Sequence, residues 1–369
     1  MTNPQMLRNS LALVSGDVFR FSFDRIPLRY PNVDSRRLPN LLLAGADQLL
    51  GRPRMLAAPP VIQIEPTNIC NRSCPLYPSR TMRRPEGMMS LETFDSLLDG
   101  TAETLLLAIL YGWGEQFLNA ALPGMIARYR GKGVLTLTST NGLCLQTPGQ
   151  GLEVMDAGLS ALIVAVVGTT QESYAAYRKN GSHDRVLRCI ISLQEAKARR
   201  NSDTPFTKLR LVANRHNEEV IGKMKDMARE LSVKMFSVKS PGCLLDKAEH
   251  TEFLPTSPDM HRFGEKRTKR PAKSTVRCRY PFRFWDGTVV GCEFDYKSGS
   301  TQGNVNTTPF RDIWNNRTAR KLRESVLAWE NRPEFCEHGP YVGRGRNSSI
   351  VESAILGRQG RNDIDPPRS

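Results

Sequence analysis

The sequence contains no apolar run long enough to cross a bilayer. Its longest apolar stretches, 105–110 and 161–167, are far shorter than the roughly 18–20 residues that a membrane helix needs. The first ten residues, MTNPQMLRNS, lack the basic region, apolar core and small-residue cleavage site of a secretory signal. Cysteine is sparse, with 8 in 369 residues, which excludes a small disulfide scaffold. We therefore expect a cytoplasmic protein without a membrane span, whose thiols are metal ligands, catalytic groups or buried fillers.

Acidic residues are outnumbered by basic ones, 37 against 52, which gives a formal charge of +15. Such a charge permits binding to nucleic acid, an anionic membrane surface or an acidic peptide. No zinc-finger, RNP-type or helix-turn-helix signature accompanies it, so nucleic acid is not the expected partner. Much of the excess lies in 262–283, where nine Lys and Arg residues face the single acid Glu265. We interpret this stretch as a solvated linker.

Six short apolar or β-branched runs alternate with stretches of helical period after residue 60. This alternation predicts parallel βαβ units, and the nearly continuous apolar character of the runs is typical of strands covered on both faces. The expected fold class is α/β, a partial (β/α)6 parallel barrel with its function at the carboxyl ends of the strands. The predicted strands are 61–66, 105–111, 134–138, 162–167, 208–213 and 234–238, and the predicted helices include 90–98, 121–130, 152–157, 185–199 and 217–231.

Changes in composition divide the chain into five segments. Prolines interrupt the first segment, and the fourth is rich in Gly, Asn, Asp, aromatic residues and cysteine, which favours a small α+β domain. The predicted segments are an N-terminal extension (1–60), the barrel (61–254), a basic linker (255–277), the small domain (278–341) and a flexible tail (342–369).

Two cysteines follow the first predicted strand directly. Cys70 and Cys74 lie four residues apart in the loop T-N-I-C-N-R-S-C-P-L-Y-P. Short spacings of this kind allow two thiolates to bind a common soft metal, as in iron–sulfur clusters. The pair alone is equally consistent with two unrelated loop cysteines, so its interpretation depends on the surrounding motifs.

Residues 64–75 resemble the cluster loop of the radical SAM superfamily, whose pattern is C-x-x-x-C-x-x-C after the first strand of a partial barrel. Further pieces follow in the order typical of that family: G-W-G-E at 112–115, T-N-G at 140–142, A-V-V-G at 165–168, Y-A-A-Y-R at 174–178 and R-H-N-E at 215–218. The resemblance implies a [4Fe–4S] cluster and S-adenosylmethionine as cofactors. It implies that the cluster is held by Cys70, Cys74 and the residue at position 77, and that S-adenosylmethionine contacts Gly112, Trp113, Gly114, Glu115, Thr140, Asn141 and Arg178.

The small domain resembles the SPASM or twitch extension of the same superfamily. The resemblance rests on W-D-G at 285–287, G-N-V at 303–305 and I-W-N at 313–315, set among three cysteines. It implies an auxiliary iron–sulfur cluster, with the ligands Cys278, Cys292 and Cys336.

The sequence departs from the family pattern at several positions. Tyr77 stands where the third cluster cysteine belongs, and Gly339 stands where the small domain usually has the second cysteine of a C-x-x-C pair. Ala165 replaces a serine, and Gln116 replaces the proline after the glutamate. Two interpretations of Tyr77 stay open: it ligates iron as a hard phenolate oxygen in a soft sulfur site, or the cluster is weakened, altered or absent.

Two functions of different classes follow from the resemblance. The first is an enzyme that cleaves S-adenosylmethionine reductively to a 5′-deoxyadenosyl radical, which abstracts hydrogen from a peptide, a sugar or another small substrate. It implies an electron donor such as a flavodoxin or a ferredoxin. The alternative is a degenerate, non-catalytic fold that acts as a binding or scaffold partner. The remaining cysteines, among them Cys144 and Cys189, are expected to be small buried apolar side chains.

Overall fold

The structure, a computed structural model, describes residues 18–30, 33–77, 82–179, 181–241, 251–260, 281–328, 330–336 and 350–356. Its strands are β1 (Phe19–Phe23), β2 (Ile26–Tyr30), β3 (Val61–Ile64), β4 (Leu107–Leu110), β5 (Leu135–Thr140), β6 (Ala161–Val166), β7 (Phe206–Val212), β8 (Met235–Lys239), β9 (Phe282–Arg283), β10 (Thr288–Val290), β11 (Gly303–Asn304) and β12 (Ile350–Ile355). Its helices are α1 (Arg37–Leu50), α2 (Leu91–Leu98), α3 (Leu122–Arg130), α4 (Pro148–Ala157), α5 (Gln171–Tyr177), α6 (His183–Arg199), α7 (Ile221–Glu230), α8 (Phe310–Trp314) and α9 (Arg317–Ala328).

Six parallel strands, β3 to β8, form the centre of a ten-stranded sheet in sequential order. Helices follow β3, β4, β5, β6 and β7 along the chain, so each crossover is of the βαβ kind. The six strands predicted from the sequence and the predicted α/β class are confirmed. The carboxyl ends of all six strands therefore meet at one edge of the sheet, which places the loops after them together.

Alternate residues of these strands pack on opposite faces of the sheet. Leu110 and Leu162 belong to the large core between the sheet and its helices. Ile109 and Leu137 belong to a second core on the inner, concave face. Both faces are covered, as the apolar strand sequences require.

A hairpin of the N-terminal extension fills the inner face. β1 and β2 pair antiparallel across a two-residue turn, in which Asp24 and Arg25 have φ of 51° and 62°, as a tight hairpin of this hand requires. Ile26 and Leu28 of β2 are fully buried in the inner core. Residues 19–30 thus close the base of the barrel, a role that the composition of the extension does not reveal.

The small domain continues the barrel sheet. β9 pairs parallel with β3, and β10 and β11 follow antiparallel. The extension also contacts this domain, since Trp314 Nε1 donates to the carbonyl of Ala57 at 2.9 Å and Arg323 donates to Pro53. Barrel and small domain are therefore joined by a common sheet and by the strap 53–57.

The prediction of a flexible tail over 342–369 is wrong for its middle part. Residues 350–355 form β12, which pairs antiparallel with β8. The run I-V-E-S-A-I has strand propensity, and an unpaired β8 would leave the edge of the sheet open. Within the described ranges, no helix has both the length and the apolar character that crossing a bilayer requires.

The first prediction concerns the hairpin in the inner core. Leu28→Ala should lower the free energy of unfolding by about 2–4 kcal/mol, because it leaves a cavity beneath the sheet. Leu43→Ala on α1 is the matched control, since Leu43 is 40% exposed, and it should change stability by less than about 0.5 kcal/mol. Equilibrium urea denaturation measures both. Equal effects would show that the hairpin is a detachable appendage.

Candidate functional site

A cavity of about 240 Å³ lies at the carboxyl ends of the parallel strands. All ten residues predicted for the barrel site line it, although they come from four separate segments of the chain. Those residues are Cys70, Cys74, Tyr77, Gly112, Trp113, Gly114, Glu115, Thr140, Asn141 and Arg178. The motifs are thus brought together in space. The roles assigned to them stay predictions.

The turn after β4 lies unusually close to the cysteine loop. A Cβ atom on Gly114 would stand 2.3 Å from the carbonyl oxygen of Thr67 and 2.7 Å from that of Ile69. The backbone N–H of Glu115 donates to Ile69 at 2.9 Å. A Cβ on Gly112 would meet Glu65 at 2.8 Å. Both glycines are required because side chains would push the turn away from the loop.

Glu115 joins this turn to the end of β5. Its Oε1 accepts from the Thr140 hydroxyl at 2.9 Å, and its Oε2 accepts from the backbone N–H of Asn141 at 2.6 Å. The side chain is buried, and burial raises the pKa of its carboxyl above the ordinary value even though these hydrogen bonds oppose the rise. Glu115 therefore holds the turn after β4 against the end of β5, and both belong to the cavity wall.

Arg178 reaches the same wall from the end of α5. Its Nη1 donates to the carbonyl of Ala165 at 2.9 Å and to the Tyr174 hydroxyl at 3.1 Å. Its Nε is buried and has no hydrogen-bond partner among the described residues. A buried guanidinium with an unused donor at a cavity is suited to an anionic ligand group. The arrangement fits the carboxylate of S-adenosylmethionine.

The two thiols of the cysteine loop line the same cavity as Glu115 and Arg178. Burial raises the pKa of the Cys70 thiol to about 11, and the nearby Glu115 and Cys74 raise it further. A cation is therefore needed to stabilise two thiolates here. Over the described part of the chain, no group of three or more His, Cys, Asp and Glu side chains is placed to hold a metal ion.

Tyr77 makes its contacts within the protein in this arrangement, and its predicted role as a ligand stays a prediction. Its hydroxyl donates to the carbonyl of Gly112 at 3.1 Å. Its ring packs edge-on against the ring of Trp113, with 5.5 Å between the ring centroids. Burial raises its pKa well above the ordinary value, and the adjacent Cys70 and Cys74 raise it further. The phenol is thus held as a hydrogen-bond donor, and the residues present do not fit a cluster with three thiolates.

Gln116, the second departure from the family pattern near this turn, acts in the same way. Its Nε2 donates to the carbonyl of Gly114 at 2.7 Å. Together, Tyr77 and Gln116 satisfy two carbonyls of the G-W-G-E turn from within the protein.

The predicted auxiliary site is described only in part. Cys292 and Cys336 lie in the small domain and do not line the cavity. Cys278 and Gly339 fall outside the described residues, as do 261–277 of the basic linker. The auxiliary ligand set stays a prediction.

Sequence reasoning missed several residues of the site. Cys144, expected to be a buried filler, is half-buried and lies next to the cysteine loop, with its Sγ 4.0 Å from Asn71 Nδ2. Arg210 and Glu293 line the cavity. The two-residue period of β7 would place Arg210 on one face together with Lys208 and Val212, but the sequence does not tell which face is concave.

Comparisons with known proteins agree with this architecture. Residues 278–338 match the SPASM family, an iron–sulfur cluster-binding domain. A curated relative, the Fe-coproporphyrin III synthase of Methanosarcina barkeri (strain Fusaro / DSM 804), is 26% identical over 204 residues, which are 55% of this chain and 47% of that protein. The chain thus matches about half the length of this relative.

Solved structures show the same fold. Streptococcus suis SuiB bound to S-adenosylmethionine superposes with a TM-score of 0.60 at 12% identity, over 83% of this chain and 76% of SuiB. For anSMEcpe with bound AdoMet the TM-score is 0.58 at 12% identity, over 80% of this chain and 90% of that one. Residues 278–338 thus match a SPASM domain, and the described fold is the one that these solved structures share. SuiB bound to its precursor peptide SuiA also matches, with a TM-score of 0.57 at 13% identity, over 81% of this chain and 73% of SuiB.

The second prediction tests the close approach between the turn 112–115 and the cysteine loop. Gly114→Ala should lower the free energy of unfolding by about 1–3 kcal/mol, because the new Cβ overlaps the Thr67 carbonyl. Gly222→Ala on α7 is the matched control. A Cβ there meets nothing within 4 Å, so this change should stabilise the helix by about 0.5–1 kcal/mol. Thermal unfolding followed by circular dichroism measures both, and unchanged stability in Gly114→Ala would contradict the packing argument.

Proposed function

We propose that this radical SAM/SPASM-type protein binds S-adenosylmethionine in the cavity at the carboxyl ends of β3 to β8. The observation that carries the proposal is Arg178, whose buried Nε lacks a partner among the described residues and lies on the cavity wall. Glu115 fixes the adjacent wall through Thr140 and Asn141. Arg178 would hold the carboxylate of the ligand, and the buried wall would exclude water from it.

The geometry favours binding without a conventional cluster. Tyr77 donates to Gly112 and Gln116 donates to Gly114, so two departures from the family pattern stabilise the turn internally. Since Cys70 and Cys74 provide only two thiols, we derive no radical step through a cluster. In this function the fold is a ligand-binding module that acts on, or together with, a partner.

Reductive cleavage of S-adenosylmethionine is the second candidate function. It is favoured by the position of Cys70 and Cys74, which line the same cavity as Glu115 and Arg178. In that case an electron donor such as a flavodoxin or a ferredoxin supplies the electron, and the substrate is a peptide or another small molecule. The peptide-bound SuiB structure supports a peptide as the class to test first.

The third prediction tests ligand binding. Titration calorimetry should detect binding of S-adenosylmethionine to the purified protein, and Arg178→Gln should weaken it about tenfold or more, because a charge-assisted hydrogen bond to the carboxylate is lost. Arg200→Gln is the matched control. Arg200 pairs with Asp156 on the surface, and its replacement should leave the affinity unchanged. Absence of binding to the folded wild-type protein would overturn the proposed function.

The fourth prediction separates the two candidate functions. After anaerobic reconstitution with iron and sulfide, Tyr77→Cys should hold about four more irons per chain than the wild type, since a third thiolate completes the loop site. Both proteins contain the same SPASM domain, so the difference between their iron contents excludes any iron bound there. With dithionite, only the Tyr77→Cys protein should release 5′-deoxyadenosine.

Tyr77→Phe is the control for this experiment, because it keeps the ring and removes the hydroxyl. It should hold the same amount of iron as the wild type. If the wild type forms deoxyadenosine and Tyr77→Phe loses both the product and about four irons, Tyr77 is a ligand and the second candidate function is correct.

A further inference from the structure

Residues of β7 form one side of the cavity, which we call its floor. Arg210 and Val212 line the cavity, and Lys208, two residues earlier, contacts the hairpin below through Asp24. In register, Arg210 lies between Ala165 of β6 and Ser237 of β8. A basic layer thus separates the cavity above from the apolar inner core beneath.

In this basic layer, two buried basic side chains share one neighbouring carboxylate. Lys208 is fully buried and Arg210 is 7% exposed. Both form ion pairs with the same oxygen, Oδ2 of Asp24. Burial lowers the pKa of Lys208 to about 7, so Arg210 is the member of this pair that stays charged near neutral pH.

Two buried polar atoms of the floor lack hydrogen-bond partners among the described residues. They are Nε of Arg210 and Oγ of Ser237, on neighbouring strands. Buried polar groups in native proteins are normally satisfied, so a pair of unsatisfied atoms beside a cavity indicates a ligand group or ordered water. Burial also lowers the pKa of Arg210 to about 10, although the charge of Glu293 opposes this fall.

Two acids line the cavity among the described residues, and both already accept hydrogen bonds, Glu115 from Thr140 and Asn141. Glu293 of the small domain lines the cavity and accepts from Gln63 Nε2 at 2.8 Å. It forms no ion pair with Arg210 among the described residues. A further cation, Lys239 at the end of β8, lines the same side as Arg210. The floor therefore has basic groups on two adjacent strands.

We propose that the floor of the cavity binds a carboxylate group of a second ligand through Arg210, beside the S-adenosylmethionine held at Arg178. The planar guanidinium matches a carboxylate in geometry and charge. This proposal rests on the proposed function, because it assigns the floor to the molecule that S-adenosylmethionine meets. The substrate class that it names is a carboxylate-bearing molecule, with its acidic group innermost.

Ligand-observed NMR with glutarate as the probe tests this proposal. In the absence of S-adenosylmethionine and at fixed ionic strength, the wild type should bind glutarate, and the uncharged 1,5-pentanediol should not bind. Arg210→Gln should weaken glutarate binding about tenfold or more, and Arg210→Lys should weaken it less. Asp24→Asn should strengthen it, because Arg210 is then released from its ion pair.

Arg128→Gln on α3 is the matched control, since Arg128 pairs with Asp95 away from the cavity, and it should leave glutarate affinity unchanged. Thermal unfolding verifies that each variant is folded. Glutarate affinity that is absent in the wild type, or equal in the wild type, Arg210→Gln and Asp24→Asn, would overturn the proposal.

Titration of S-adenosylmethionine distinguishes this outcome from failure of the proposed function. Arg210→Gln should bind S-adenosylmethionine as tightly as the wild type does. An equal loss of affinity for glutarate and for S-adenosylmethionine would assign Arg210 to the S-adenosylmethionine site and overturn the carboxylate floor. If the wild type binds glutarate but not S-adenosylmethionine, the proposed function fails and the floor stands as an anion site.

Discussion

The site depends on one close approach, between the backbone of the turn 112–115 and the cysteine loop. Gly114 lies against the carbonyls of Thr67 and Ile69, where no side chain fits. This contact places Glu115 so that it can accept hydrogen bonds from the end of β5, and it places Gly112 within reach of Tyr77. Because a parallel sheet brings its loops to a single edge, one such contact is enough to order residues from several strands around a common cavity.

The same contact explains why the substitution at position 77 is compatible with the fold. A phenol is longer than a thiol, and its hydroxyl reaches the Gly112 carbonyl that the close packing presents. The backbone N–H of Glu115 donates to Ile69 of the loop, and Gln116 donates within the turn, to Gly114. The loop and the turn are then held together by protein hydrogen bonds, so a metal cluster is not needed for their mutual position. At position 77 the third thiol of the family pattern is replaced by a side chain that forms a hydrogen bond within the protein.

Much of the barrel could be predicted from the sequence because its signals are local. Each parallel strand is a short apolar run, and the motifs of Cys70, Glu115 and Asn141 each follow a strand along the chain. The N-terminal hairpin could not be predicted, because Pro27 lies inside β2 and strands of five residues have little signal of their own. Likewise, β12 is a strand only because the edge of β8 is available to it. The hydrogen bond of Tyr77 and the inward position of Arg210 depend on tertiary register, which a sequence pattern does not contain.

The C-terminal part of the chain contacts both edges of the parallel sheet. β9 extends it beside β3, and β12 closes it beside β8. A half-open barrel can widen when its two edge strands move apart. Here each edge strand is paired with a strand that lies after the barrel in the chain. Opening the barrel at either edge therefore requires the backbone hydrogen bonds of β9 or β12 to break.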